Sequence, residues 1–500
     1  MFAPCQGLQW RQCMRKTRSS QMFSRRHKRV TSQMYCSGRK WDEPHKSRLT
    51  TSPEQAMTLK RKVVFMCCDG LSRHWISDEL TPSLAQLARD HVWCDNHQAV
   101  FPSVTRVSAA TIATGCMPRR HGLHGNRMGL LEEGRVVVRD VGAPDFRDHM
   151  RRATGGTLKV PTLAERVAHL DGFVGFSNVS PGAAYFLDPE HHGFIYHRAG
   201  SFGPGGKRLD DPQHLRVSHD IAGDFEMVTR FCKEILAEQK PTVSVLWIAN
   251  PDLTLHGASL GGSQHREALR CADQQVRTVV ECIRTLRGQG EDILLLIGSD
   301  HGQETIGGSV NVDEFLTARG FGPELSTGSI AVASQGTSAL IYATDDAREK
   351  AREVIRTLAD APWVDSIRHG ESLTSLGMPA DEHLVAAINM GFISDTNAYG
   401  VSGQRWIASE PGKYPKMGDG QHGGWGAEET SPFLVLNHPD LGADALSVNT
   451  HLVDIAPTAL AFLGLPTAGV DGRPLLENEL GSALRLASHP IPGTATPNAL

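Results

Sequence analysis

The sequence predicts an α/β fold: a doubly wound, largely parallel central sheet carrying a small inserted α+β unit. Two observations predict it. Short apolar runs such as KVVFMCC, VSVLW and ILLLIG alternate with longer segments of helical periodicity. Alternation of that kind builds a parallel sheet covered on both faces. In addition, Asp69, Asp252 and Asp300 all follow directly or closely after such runs. The carboxyl ends of strands are where an open sheet of this type forms its ligand crevice.

The elements follow in order. Lys62–Cys68 reads as the first strand, with adjacent Cys67 and Cys68 pointing to opposite faces. Thr81-Pro82-Ser83 opens a helix, and Val92–Val100 is the second strand. Arg135–Asp140 belongs to a hairpin, Pro161–Leu170 is a helix and Gly172–Asn178 a strand. From Ser180 to about Gly206 the chain is Gly/Pro/His-rich and reads as an irregular substrate wall. Asp220–Glu238 (helix), Thr242–Ile248 (strand), His265–Leu286 (helix) and Asp292–Ile297 (strand) then alternate regularly. Ala268, Cys271, Ala272, Val276, Val279, Ile283 and Leu286 mark one apolar helix face. The expected catalytic core spans residues 59–311 and 416–482. An α+β cap is expected over 312–415, built from SALIYAT, a helix after Asp345, WVDSIRH and EHLVAAIN. SPFLVLN supplies a late strand, VDIAPTALAFLGLP a closing helix, and residues 483–500 a flexible tail.

The chemistry centres on FPSVTRVSAATIATGCMPRRHGLHGN, residues 101–126. Pro102 and Ser103 are helix-start residues, and the helix after them is made of small side chains. Thr105 sits in its first turn, where free N–H groups and the helix dipole favour an anion. A threonine hydroxyl is a weak nucleophile and needs a base or a metal to activate it. Candidate ligands lie in four places: Asp69, Asp252 with His256, Asp300 with His301, and His422 in GDGQHGG. Six such ligands and one alkoxide fill two tetrahedral metal sites with room for substrate. Each has a plainer reading too. Asp69 before a glycine is a common turn residue, the Asp252/His256 spacing is one helical turn, and His422 stands in a glycine-rich loop. His121 and His124 read as structural, and His191 and His192 lack an acidic partner at metal spacing.

Taken together and in this order, Asp-Gly after a strand, FPSVTR, TG…P…HG…N, D…H, SDHG and GQHGG resemble the alkaline phosphatase superfamily. Within it they are most similar to the type I phosphodiesterase/nucleotide pyrophosphatase group, over roughly Lys60 to Leu480. The resemblance implies one metal held by Asp252, His256 and His422. A second is held by Asp69, Asp300 and His301, with Thr105 as nucleophile and fourth ligand. It also implies that the Thr105 amide and the Asn126 side chain hold a phosphate oxygen. Two divalent ions are expected, zinc by choice of ligands, with manganese or iron as alternatives. The substrate implied is a small phosphodiester or pyrophosphate.

The sequence departs from a sulfatase, because Thr105 is followed directly by Arg106 where a C/S-x-P-x-R pattern would be needed. Arg106 either contacts the free oxygens of a phosphate monoester or points away along the helix. Phosphonoacetate hydrolases share the ligands and the asparagine, so carbon–phosphorus hydrolysis is the alternative. For that chemistry Lys159 and Lys207 are the candidate carboxylate binders.

A net charge of −4 and a pI near 6.6 argue against a dedicated nucleic-acid binder. Charge is uneven: residues 1–60 hold thirteen Lys or Arg against three Asp or Glu. Residues 1–58 are expected to be a disordered basic tail, with Met22 or Met57 as alternative starts; an organelle transit peptide or a nucleic-acid arm are the other readings. The ten cysteines read as reduced thiols, which favours a cytoplasmic setting. No apolar stretch is long enough to span a membrane, and nothing fixes an oligomeric state.

Overall fold

The computed structural model describes residues 60–380, 383–410, 412–413, 415–477 and 484–487. The expected basic tail, residues 1–58, lies outside them, as do residues 488–500. The first strand, Arg61–Cys68, sits at the centre of a ten-stranded sheet. Its alternation sends Val63, Phe65 and Cys67 into the core on one face and Val64, Met66 and Cys68 into the core on the other. A strand buried on both sides has to be apolar throughout, which explains the unbroken run. It pairs in parallel with Asp292–Gly298 on one side and Val243–Ile248 on the other. Phe173–Ser177 and Phe194–His197 extend the parallel side.

On the opposite side Leu434–Asn437 enters antiparallel between Asp292–Gly298 and Val92–Gln98, and Ala445–His451 closes the edge parallel to Val92–Gln98. Helices cover both faces. Thr105–Thr114, Leu163–Val167 and Ile455–Phe462 pack on one, and Pro82–Asp90, Ile221–Arg230 and Ser263–Gly288 on the other. The sheet is thus doubly wound and largely parallel, an alkaline phosphatase-like α/β arrangement.

Two smaller sheets stand beside it. Ile330–Ser334, Ser338–Ala343, Leu384–Met390 and Val364–His369 form an antiparallel sheet over the helix Arg348–Ala359. A third sheet joins Phe392–Thr396, Ser402–Ser409, Glu304–Asn311 and Gly420–Gln421. Glu304–Asn311 follows His301, and Gly420–Gln421 precedes His422, so their pairing ties the two histidine segments together.

Three expectations change. The wall from Ser180 is partly regular: Ser180 caps the helix Pro181–Phe186, with Pro181 at its start, and Phe194–His197 joins the main sheet. The predicted helix at Pro161–Leu170 shortens to Leu163–Val167. Arg485–Leu486, placed in a flexible tail, pairs antiparallel with Leu476–Glu477. All seven cysteines among the described residues are free thiols; Cys5, Cys13 and Cys36 lie outside. Among the described residues no helix is long and apolar enough to cross a membrane.

Candidate active site

The carboxylates meet because three strand ends converge. Asp69 follows Arg61–Cys68, and Gly70 turns the chain with φ of 69°. A Cβ at Gly70 would lie 2.8 Å from the Asp252 Cβ, so only glycine permits this approach. The Gly70 N–H donates to Asp300 Oδ1 (3.1 Å), and the Asp252 N–H donates to the Asp69 carbonyl (3.1 Å). His301 Nε2 lies 3.1 Å from Asp300 Oδ2 and 3.5 Å from Asp69 Oδ1. Asp69, Asp300 and His301 each offer a ligand atom within 4.8 Å of the others, and all three are buried.

This cluster suits a cation. Asp69 Oδ1 and Asp300 Oδ2 are buried and accept no hydrogen bond. Burial, then Asp300 and Asp252, push the Asp69 carboxyl well up; burial raises Asp300 against the opposing effect of His301. Buried carboxylate oxygens left without a donor beside another carboxylate are costly unless a positive charge sits between them.

A second cluster contains Asp252, His301 and His422. His422 Nε2 is 3.4 Å from Asp252 Oδ1, and the rings of His301 and His422 stack with centroids 3.7 Å apart. Asp252 Oδ2 is 3.3 Å from His256 Nε2. The tight trio therefore contains His301, and His256 stands at the mouth with its side chain 40% exposed. Burial would raise Asp252, yet His256, then His422 and His301, hold its carboxyl below the usual range. His422 Nδ1–H donates to the Ser103 carbonyl (2.7 Å) and His301 Nδ1–H to the Gly302 carbonyl (2.9 Å). A carbonyl can only accept, so both Nε2 lone pairs face inward, as metal ligation requires.

Thr105 is the first residue of its helix, buried, with Oγ1 3.3 Å from His301 Nε2. Asn126 lines the same cleft, of about 490 Å³. Its N–H donates to Gln335 Oε1 (2.7 Å) and its carbonyl accepts from Arg106 Nη1 (2.8 Å), while Oδ1 has no partner. Asp69, Asp252, His256, His422, Thr105 and Asn126 thus line one cleft, and Asp300 and His301 lie against Asp69 behind it. Arg106 lines the cleft, but its guanidinium is already engaged: it is ion-paired with Asp140 and bonded to Ser180 Oγ (3.3 Å).

Lys159 and Lys207 do not line the cleft; Arg127, Arg198 and Lys413 do. His191 Nε2 accepts from Arg147 Nη1 (3.1 Å) and joins no ligand cluster. His121 is structural, its ring packed on Thr111 Oγ1 at 3.2 Å.

Two buried acids escaped the sequence reading. Glu429 accepts from the N–H groups of Gly423 (2.7 Å), Gly424 (2.8 Å) and Gly426 (3.0 Å), which fixes the His422 loop. The signal was there: a glycine-rich run with many free N–H groups and an acid just beyond it. Asp224 accepts from Ala249 N (3.1 Å), Asn250 N (3.1 Å) and Asn250 Nδ2 (2.8 Å), which shapes the approach to Asp252. Nothing in the local pattern of its helix marked it.

Known proteins share this fold. Two structures of murine ectonucleotide pyrophosphatase/phosphodiesterase 5 superpose on the chain. An inactive variant in complex with AMP does so with a TM-score of 0.60 and 16% identity, over 82% of this chain and 97% of that one. The murine protein in its other form gives 0.58 and 16%, over 82% and 97%. At such identity the likeness shows the fold. No curated protein sequence matches the chain. Residues 63–424, from the first strand to the loop after His422, match the family model of type I phosphodiesterase/nucleotide pyrophosphatase. The chain belongs to the type I phosphodiesterase/nucleotide pyrophosphatase family.

Proposed function

We propose that this phosphodiesterase-family hydrolase cleaves small phosphodiesters or pyrophosphates through a Thr105 nucleophile at a two-metal site. The observation that carries the reading is Thr105 Oγ1, 3.3 Å from His301 Nε2, beside carboxylate oxygens of Asp69 and Asp300 that accept no hydrogen bond. Asp69, Asp300 and His301 would hold one divalent ion, and Asp252, His422 and His256 the other, with His301 lying between the sets. Zinc suits this mixture of imidazole and carboxylate. When bound, such ions supply Lewis-acid stabilisation of charge on the phosphoryl oxygens and ease ionisation of the hydroxyl.

The rest falls to the chain. The start of the Thr105–Thr114 helix offers N–H groups and a positive dipole end to the phosphoryl group. The Thr105 oxygen attacks phosphorus, the alcohol or phosphate leaving group departs, and water hydrolyses the phosphothreonine. Asn126 donates from its amide to a non-bridging oxygen as charge develops. We take residues 312–415 as a cap inserted into a core of 59–311 and 416–482. It contributes Ser334, Gln335, Glu410 and Lys413 to the cleft wall.

Phosphonoacetate-type hydrolysis is left without its two lysine candidates, since neither lines the cleft. Purified, zinc-loaded protein should be tested on bis-p-nitrophenyl phosphate, p-nitrophenyl phosphate, nucleotide diphosphate diesters and phosphonoacetate. Faster release from a diester than from the monoester is expected. Turnover of phosphonoacetate alone would overturn the reading.

A further inference from the structure

The cleft carries four long cationic side chains, and three already have a carboxylate. Arg106 is paired with Asp140, and Arg127 and Lys413 share Glu410. Arg198 differs. It is half-buried, and among the described residues it forms no ion pair with a carboxylate. Nη1 makes its hydrogen bonds, to the carbonyls of Asn178 (2.7 Å) and Val179 (2.8 Å) and to Asn178 Oδ1 (3.3 Å), and it also lies 3.0 Å from His197 Nε2. The acid whose charge it feels, Asp224, is already used by Asn178 Nδ2 (3.0 Å) and the Ala249–Asn250 turn.

Pinning one end of a guanidinium this way leaves the edge formed by Nε and Nη2. That edge matches two oxygens of a carboxylate or phosphate. His219 stands on the same wall. Burial, then the Arg198 charge, hold its imidazole below the usual range, so it adds no counter-charge of its own. Equally informative is what the wall lacks. No Phe, Tyr or Trp lines the cleft among the described residues, so a flat base or aryl group finds nothing to stack on.

We infer that Arg198 binds a second anionic group of the substrate, so that the preferred substrate is an acidic, non-aromatic phosphodiester. The inference rests on the phosphodiesterase reading above. The second group is a carboxylate or a phosphate borne by the alcohol that stays on the phosphoryl group when the other alcohol leaves.

The test uses three p-nitrophenyl phosphodiesters whose second alcohol is ethanol, glycolate or 2-phosphoethanol. Release of p-nitrophenolate is followed with the zinc-loaded full chain. A charge-assisted fork should favour one of the charged esters over the ethyl ester by about tenfold or more in kcat/KM. The better of the two identifies carboxylate or phosphate. Arg198→Gln should erase that preference, chiefly through KM, and Arg198→Lys should keep part of it. The ethyl ester, having no group for the guanidinium, reports folding of each variant together with its zinc content. No preference in the wild type, or an equal loss on all three esters in Arg198→Gln, overturns the inference while leaving the diesterase reading intact. Failure of the zinc-loaded wild type on all three overturns both.

Discussion

The Oγ1 of Thr105 and the Nε2 of His301 lie 3.3 Å apart, deep at the end of the central sheet. His301 also approaches Asp69 and Asp300 and stacks on His422, so the hydroxyl faces the residue common to both ligand clusters. Four expectations follow from this and neighbouring geometry.

Thr105→Ala should abolish diester turnover while both metals still bind, because six protein ligands remain. Thr105→Ser should keep part of the activity, since the hydroxyl persists with a less fixed rotamer. Steady-state rates with metal content measured on each variant decide it. Near-normal turnover in metal-replete Thr105→Ala would remove the covalent route.

Asn126 has its backbone tied at both ends and lines the cleft beside Thr105. Asn126→Ala should therefore cost about 2.7–4 kcal/mol of transition-state stabilisation on diesters if it supplies one donor to a phosphate oxygen. The loss on any monoester side activity should be smaller. Equal losses on both would leave the diester preference without this residue as its cause.

Gly70→Ala places a methyl group 2.8 Å from the Asp252 Cβ at a φ of 69°. The left-handed backbone alone costs roughly 1–2 kcal/mol, and the contact adds to that. Urea unfolding should show at least this loss, and metal titration should show weakened binding through the displaced Asp252. An unchanged midpoint would contradict the geometry.

His97 and His121 are both held down to about 3, each by burial first, then by His451 for His97 and by His124 for His121. Their folded values lie below the ordinary one near 6.5, so the unfolded chain takes up protons first. Stability is then full above about pH 6.5 and falls as pH drops towards 3, by roughly 1.4 kcal/mol per pH unit per imidazole. Urea midpoints of metal-free protein at pH 7.5, 6.5 and 5.5 should fall accordingly. His121→Gln should flatten the trend by about half of the two-histidine share; an unaltered slope would refute it.

What the sequence makes legible follows from locality. Asp69, Asp252, Asp300 and His301 are readable because a buried parallel strand is largely apolar to its end and the polar residues within the next few positions then stand at the crevice. Cys67 and Cys68 fall into opposite cores for the same reason. Other features depend on partners distant in the chain. The sequence assigns no element to Glu304–Asn311; it is a strand paired with Ser402–Ser409, where Trp406 lies against Gly308 and a Cβ would meet the indole at 2.6 Å. The roles of Glu429 and Asp224 depend on which N–H groups the fold brings to them. The sharing of His301 between clusters depends on ring stacking with a residue over a hundred positions away, which no spacing rule encodes. Arg198 was passed over because cationic residues are common, and only the carbonyls and pairings around it set it apart.

The antiparallel insertion of Leu434–Asn437 has a consequence for synthesis on the ribosome. Val92–Gln98, the strand leading to Thr105, takes both its neighbours from residues 434–451. Until those residues emerge, its two edges and the outer edge of Asp292–Gly298 are open for pairing with other chains. Such distant contacts form slowly, so the nascent protein should depend on shielding by chaperones more than its parallel half alone would. A chain cut short before residue 434 should therefore be catalytically silent even though all six candidate ligands precede the cut, because the strand leading to Thr105 would have neither neighbour.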